Sequence, residues 1–238
     1  MILFHVWVSS TPPLLSFSFD LTYTDICAWQ NKLACHGHIY LGEHQGWYAV
    51  SDEAFYPESQ ICATKQQSGS SSETVYTSIE TGQRVEWTTE TNYKFRLSAF
   101  QQPLLDWLEN NREVIQPSNM YDHVLAEVRS GLQDLSISRL RSRLTWGIPV
   151  PGDPQHTMYV WMDALVNYMT ALGYPHMQPG WPADVHIVGK DIVRFHAIYW
   201  PAFLMAAGLP LPRTIVAHSH WTVNKAKMSK SKGNAINP

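Results

Sequence analysis

Asp184-Val185-His186-Ile187-Val188-Gly189-Lys190-Asp191-Ile192 joins a β-branched run to a glycine and then to a helical pattern. Val185, Ile187 and Val188 favour extended backbone, and Asp191 is a residue type that caps helix N-termini. From Ile192 the apolar spacing predicts a helix to Ala207, closed by Gly208, and Thr214-Ile215-Val216-Ala217 follows as another strand. Upstream, Thr157-Met158-Tyr159-Val160-Trp161 reads as an earlier strand, with Asp163 capping a helix that stops at Gly173. Strand, helix, strand, helix, strand at this spacing predicts two right-handed crossovers and a parallel, doubly wound α/β sheet. Ligands of such sheets bind beyond the C-terminal strand ends. Those ends fall at residues 161–163, 189–191 and 218–221.

Directly after the third strand comes Lys225-Ala226-Lys227-Met228-Ser229-Lys230-Ser231-Lys232-Gly233-Asn234. Lysines separated by small or hydroxylated residues predict a mobile cationic loop, suited to a polyanion whose charge develops during a reaction. A solvated basic run or a localisation signal has the same composition. The position after a parallel strand favours a loop hanging over the mouth of a nucleotide-type site.

A length of 238 residues is enough for one large domain, or one with a small insert, and 45% hydrophobic with 16% charged residues describes an ordinary globular chain. No stretch has the roughly 18 uninterrupted apolar residues of a membrane span. The net charge of -3 argues against a nucleic-acid-coating protein, so contact with RNA is expected through a local patch, best placed at the lysine run. Cys27, Cys35 and Cys62 have no C-x-x-C spacing, which fits a reducing compartment and gives no ground for structural zinc. Cys35, His36, His38 and His44 lie on a segment read as a strand, whose neighbours point to opposite faces, so they are not read as a metal site. Residues 1–25 contain no Lys or Arg and fit neither a secretory signal nor a transit peptide; they are expected to be poorly ordered.

Between these ends, 28–33 reads as the last turns of a helix, and 38–41 with 47–50 as a hairpin about Gly42 and Gly46. A second hairpin is predicted for 75–79 and 84–87, turning on Thr81-Gly82, with 66–73 as a flexible loop, so that 26–97 forms a small β-rich insert. Ser98 is predicted to cap a helix through Leu108, and Pro117-Ser118 to open another that ends at Gly131. Residues 146–154 are too rich in Pro and Gly for regular structure.

Ile192, His196 and Trp200 share one face of their helix. His196 is either a pocket wall that hydrogen-bonds a substrate or a satisfied core histidine, and Trp161 is either core or pocket. Asp163 and Asp191 are fully explained as helix caps, though either can also hold a polar ligand group. His218-Ser219-His220 lacks both a nucleophile elbow and a third metal ligand, and Gly189-Lys190-Asp191 lacks phosphate-loop spacing.

Lys227-Met228-Ser229-Lys230-Ser231 resembles the KMSKS signature of class I aminoacyl-tRNA synthetases. Trp47-Tyr48 with 51–56, 136–139, 146–151, 160–165 and 189–192 narrow the resemblance to the methionyl-tRNA synthetase family. Residues 195–201 and 218–223 are similar to its mitochondrial form. The resemblance covers 29–238 and implies the C-terminal half of a doubly wound Rossmann-type sheet with a β-rich connective insert at 26–97 and the second half of the catalytic domain at 98–238. It implies methionine–tRNA ligase activity: ATP with Mg2+ activates methionine to methionyl-adenylate, and the methionyl group passes to tRNA(Met) in the mitochondrial matrix. By the same resemblance Trp161, Ala164, Leu165, Tyr168, Asp191, Ile192 and His196 form the methionine site. Arg139, Lys227 and Lys230 are the catalytic groups, and Lys227, Met228, Ser229, Lys230, Ser231 and His218 contact ATP.

The family's HIGH motif belongs ahead of Trp29, and His36-Gly37-His38-Ile39 is only its anagram; the anticodon-binding domain belongs after Pro238. The chain is therefore expected to be an incomplete catalytic domain, inactive alone. A non-catalytic RNA-binding or regulatory fragment, and an adenylyltransferase of the same fold, remain the alternatives.

Overall fold

The computed structural model describes residues 6–7, 19–50, 54–56, 58–68, 71–79, 81–176, 180–219, 222–223 and 226–228. The chain forms two compact units, one from Met1–Ile39, Phe95–Leu135 and Val160–Pro238, the other from Tyr40–Lys94 and Ser136–Tyr159. In chain order it opens with strand β1 (Val6–Trp7) and helix α1 (Phe19–Cys35). Then come β2 (Ile39–Ala49), β3 (Ala54–Tyr56), β4 (Ile61–Ser68), β5 (Ser71–Ser78) and β6 (Glu86–Phe95). Helices α2 (Gln101–Asn110) and α3 (Ser118–Arg129) flank the short strand β7 (Ile115–Gln116). Strands β8 (Leu135–Ser136), β9 (Ser138–Leu140), β10 (Pro149–Val150) and β11 (Asp153–Met158) lead to helix α4 (Val160–Thr170). The last part holds β12 (Val185–Gly189), α5 (Trp200–Ala206), β13 (Ile215–His218), β14 (Thr222–Val223) and β15 (Ala226–Lys227).

The first unit is built on a sheet of order β1-β12-β13-β7. β12 and β13 run parallel with Gly189 opposite His218, β7 is parallel to β13, and β1 lies antiparallel on the outer edge of β12. Three parallel strands flanked by helices confirm the α/β, Rossmann-type class. One strand is reassigned: the third parallel member is Ile115–Gln116, not 157–161. Residues 153–158 pair antiparallel with β9 and β10 in the other unit, and the helix already begins at Val160. Met162, Leu165, Val166 and Met169 are buried at helical spacing, and this apolar stripe outweighs the local strand propensity of Tyr-Val-Trp. The core of this unit gathers Trp29 and Leu33 of α1 with Trp200, Phe203 and Leu204 of α5, all at most 1% exposed. β1 and the first turns of α1 fall inside residues 1–25.

The second unit holds a sheet of order β3-β2-β6-β8, the three-stranded sheet β10-β11-β9 and the hairpin β4-β5. It draws on residues beyond 97 because Ile137 N–H donates to Tyr93 O at 2.8 Å and Ser138 Oγ accepts from Tyr93 N–H at 2.8 Å. Several local expectations change here. The segment expected as a hairpin does not fold back about Gly42 and Gly46: Ile39–Ala49 runs as one strand, since β3 and β6 supply the pairing on both sides. Residues 66–68 and 71–73, expected as loop, extend the β4-β5 hairpin, in which Gln66 pairs with Glu73. The Thr81-Gly82 turn is present, with Gly82 at φ +74° and Thr77 bridged to Arg84. In the first unit, Ser98 is not a cap; it lies within a 3-10 turn and its hydroxyl donates to Asp134. In the second unit, residues 149–158 form a tight hairpin turning on Gly152 at φ +78°, so the Pro-Gly stretch is partly regular.

Candidate functional site

Along α4, Trp161, Leu165 and Tyr168 are spaced four and three residues apart and so share a face. Trp161 is half-buried and stacks on Phe195, with ring centroids 3.7 Å apart and planes 22° from parallel. Leu165 is fully buried and Ala164 half-buried. Tyr168 reaches His196: its hydroxyl lies 2.8 Å from His196 Nε2, while His196 Nδ1 is 2.9 Å from the Ile192 carbonyl oxygen. A carbonyl can only accept, so Nδ1 carries the hydrogen. Burial lowers the His196 pKa, the ring is neutral, and Nε2 therefore accepts from the Tyr168 hydroxyl. Burial likewise pushes the Tyr168 phenol well above its ordinary range, which keeps it a donor. The result is an uncharged, aromatic and aliphatic wall with one ordered polar pair.

Behind this pair stands His186 of β12, 1% exposed, its ring 4.7 Å from Tyr168 and 5.8 Å from His196. Burial, and then the neighbouring His196, lower its pKa to about 3, so it too is neutral. Trp200 closes the back, 6.2 Å from Tyr168 and 5.7 Å from Trp29. Phe195 and His186 were not among the residues singled out by sequence. The signal for His186 lay in β12, where it alternates with Val188 on the buried face.

The C-terminal strand ends meet at Gly189 and His218, which are paired in register. Asp191 follows immediately and is exposed. It is not a helix cap, because it sits inside a 3-10 turn, Lys190–Ile192, whose N-cap is Gly189. A Cβ at Gly189 would come within 2.9 Å of Asp191 Oδ1, so the glycine gives that carboxylate its room. Asp163 is likewise inside the first turn of α4 rather than capping it, and burial raises its pKa. Ile192 is half-buried, and its carbonyl oxygen accepts from His196 Nδ1–H. His218 is exposed, and its Nδ1 donates to the Ser219 carbonyl at 2.9 Å. Beyond it β14 and β15 form a hairpin in which Thr222 pairs with Lys227, so the lysine stretch begins in regular structure. Met228 is half-buried; Ser229, Lys230 and Ser231 lie outside the described residues.

Arg139 belongs to the strand-rich unit. It is 5% exposed, and its Nη1 donates to Ser136 Oγ at 3.3 Å and to Ser138 O at 3.2 Å. Its guanidinium carbon stands 5.1 Å from the Tyr159 ring and 6.0 Å from that of Tyr48. Burial lowers its pKa, opposed by Tyr159, Glu90 and Tyr48, and Arg139 in turn helps burial hold His44 at about 4. This is a rigid, oriented cation of the kind that recognises anionic oxygen.

Residues 26–238 match the sequence family described as tRNA synthetases class I (M). The chain is 54% identical over 213 residues to the probable mitochondrial methionine–tRNA ligase of Schizosaccharomyces pombe, covering 85% of this chain and 38% of that protein. With the mitochondrial methionine–tRNA ligase of Homo sapiens it shares 51% identity over 208 residues, covering 87% and 35%. A crystal structure of Mycobacterium tuberculosis methionyl-tRNA synthetase bound by methionyl-adenylate superposes with a TM-score of 0.76 at 43% identity, covering 91% of this chain and 42% of that one. The chain thus spans between 35% and 42% of the length of these relatives. It belongs to the class I (M) tRNA synthetases.

Proposed function

We propose that this chain carries the methionine-recognising part of a mitochondrial methionine–tRNA ligase. The observation that carries the reading is the buried Tyr168–His196 hydrogen bond beside the Trp161–Phe195 stack. A thioether is weakly polar and polarisable, and it gains from sulfur–aromatic contact in a site without charge. Neutral His196 keeps the wall uncharged, and the ring–ring contact of Trp161 and Phe195 offers an aromatic face. Ala164, Leu165 and Ile192 add the aliphatic part of the enclosure, and Asp191 at the strand end is the acceptor for the methionine ammonium.

ATP, entering with Mg2+ as its substrate complex, is assigned to the strand ends near Gly189 and His218, the position at which parallel α/β sheets bind nucleotides. Lys227 and Lys230 neutralise its triphosphate while pyrophosphate departs, and Met228, Ser229 and Ser231 complete that loop. Arg139 assists activation, and the methionyl group then goes to tRNA(Met) in the mitochondrial matrix. The solved relative bound by methionyl-adenylate and the mitochondrial relatives support this assignment.

Titration calorimetry of the purified chain with L-methionine, L-isoleucine and a non-hydrolysable methionyl-adenylate analogue tests it. Methionine and the analogue bind and isoleucine does not. A folded chain that takes up neither methionine nor the analogue overturns the reading.

A further inference from the structure

The backbone that carries His196 is not α-helical. Residues Phe195–Tyr199 form a π turn between the 3-10 turn at Lys190–Ile192 and α5, and Trp200 N–H donates to Phe195 O, five residues back. Pro201 follows at once. Proline has no N–H, and in an α register its ring collides with the carbonyl four residues earlier, here that of Ala197. A wider turn relieves such a collision, and the last π bond, from Trp200 N–H to Phe195 O, falls immediately before the proline. Single π turns are rare and gather at functional positions.

The widened turn has a consequence for two side chains. Adjacent residues of an α-helix diverge and do not meet the same neighbour. Here Phe195 and His196 both reach α4: Phe195 lies on Trp161 at 3.7 Å, and His196 accepts from Tyr168 at 2.8 Å, seven residues further along the same helix. A turn with more residues per revolution separates consecutive side chains by a smaller angle, which brings both onto one side. The carbonyl of Ile192 then takes His196 Nδ1–H and fixes the ring.

We propose that Pro201 is a positioning residue of the methionine pocket, imposing the π register that aims Phe195 and His196 together at Trp161 and Tyr168. The proposal rests on the pocket reading above, and its test separates the two. In the 238-residue chain, Pro201→Ala restores an N–H and allows an α register. The first readout needs no ligand: the 15N resonances of the His196 ring, which report the tautomer and the hydrogen bond at Nε2. They shift in Pro201→Ala as the Tyr168 contact is lost. The second is calorimetry, in which methionine affinity falls about tenfold, the loss of roughly one hydrogen-bonded contact. The thermal midpoint stays level or rises, because proline is the least favourable residue inside a helix. A merely structural proline predicts the reverse, a lower midpoint with unchanged affinity in the folded protein.

Unchanged His196 resonances overturn the proposal, as does parental methionine affinity in the variant. Should the parent not bind methionine, the pocket reading fails while the ring resonances still judge Pro201. Pro201→Ser, which returns the N–H with a different side chain, is run in parallel; failure of both variants to fold also overturns the proposal, since it requires that an α register be accommodated.

Discussion

His186 places an imidazole where almost no water reaches it, and its protonation is therefore tied to folding. Its pKa is about 3 in the folded chain and returns to about 6.5 when unfolded. Between those values the unfolded state binds more protons than the folded one, so stability rises with pH across the interval. At about 1.4 kcal/mol per pH unit below 6.5, acidifying from pH 7 to pH 5 costs about 2 kcal/mol through this group. His196 is shifted in the same direction by burial, and His44, held at about 4 in the other unit, adds a contribution of the same sign. The urea midpoint is expected to fall from pH 7 to pH 5, and His186→Phe, which keeps an aromatic ring and removes the titration, is expected to flatten that fall. Parallel pH profiles for the two chains would mean that His186 does not stay neutral when folded. At this scale the sequence was partly readable. The four-residue spacing placed Ile192 and His196 on one face, and the structure adds a bond from the His196 ring to the Ile192 backbone carbonyl. Phe195 was invisible because helical spacing puts it on a different face, and only the π turn brings it to Trp161.

Elements were readable where a residue type had one job. Gly131, Gly173 and Gly208 each follow a helix at positive φ, and Pro117 precedes α3, as their chemistry predicts. They were unreadable where length was the signal: β7 is two residues long and has no periodicity to detect, whereas 157–161 has strong strand propensity and is split between a strand end and a helix start. The 146–154 stretch misled for another reason, since its glycines serve a packed hairpin. Gly147 has φ +118°, and a Cβ there would lie 2.7 Å from Thr157 Cγ2, on a side chain 1% exposed whose hydroxyl donates to Leu144 O at 3.1 Å. Thr157 cannot swing away without losing that bond. Gly147→Ala is therefore expected to lower stability by about 2–4 kcal/mol, combining backbone strain with overpacking. Gly152 has φ +78° with nothing within 4 Å of its Cβ position. Gly152→Ala should cost only about 1 kcal/mol, the penalty of a left-handed residue. Urea denaturation of both variants checks the order; equal or reversed costs would show that the Thr157 wall yields.

For the molecule as a whole, the family was legible from short motifs, while the division of the chain was not, because it depends on where the chain returns. It leaves the first unit after Ile39 and re-enters at Phe95, where Arg96 N–H donates to His38 O at 2.9 Å and Arg96 Nε–H to Gly37 O at 3.0 Å. It leaves again after Leu135 and re-enters at Val160, next to the bond from Tyr159 N–H to Ile137 O at 2.9 Å. Each excursion thus starts and ends at neighbouring points, the geometry that tolerates insertion or excision of a segment. Closing such a gap with a short connection costs little chain entropy. Trp161, Ala164, Leu165, Tyr168, Asp191, Ile192 and His196 all belong to the first unit, and Arg139 to the second. A variant in which Tyr40–Lys94 and Ser136–Tyr159 are each replaced by a Gly/Ser linker of about four residues, an ordinary connection length, is expected to fold. It should give a dispersed amide NMR spectrum and a cooperative thermal transition, and it should still take up methionine while having lost the Arg139 cation. A collapsed spectrum would show that the first unit draws its stability from the second; a folded product without methionine uptake would show that the pocket needs residues of both.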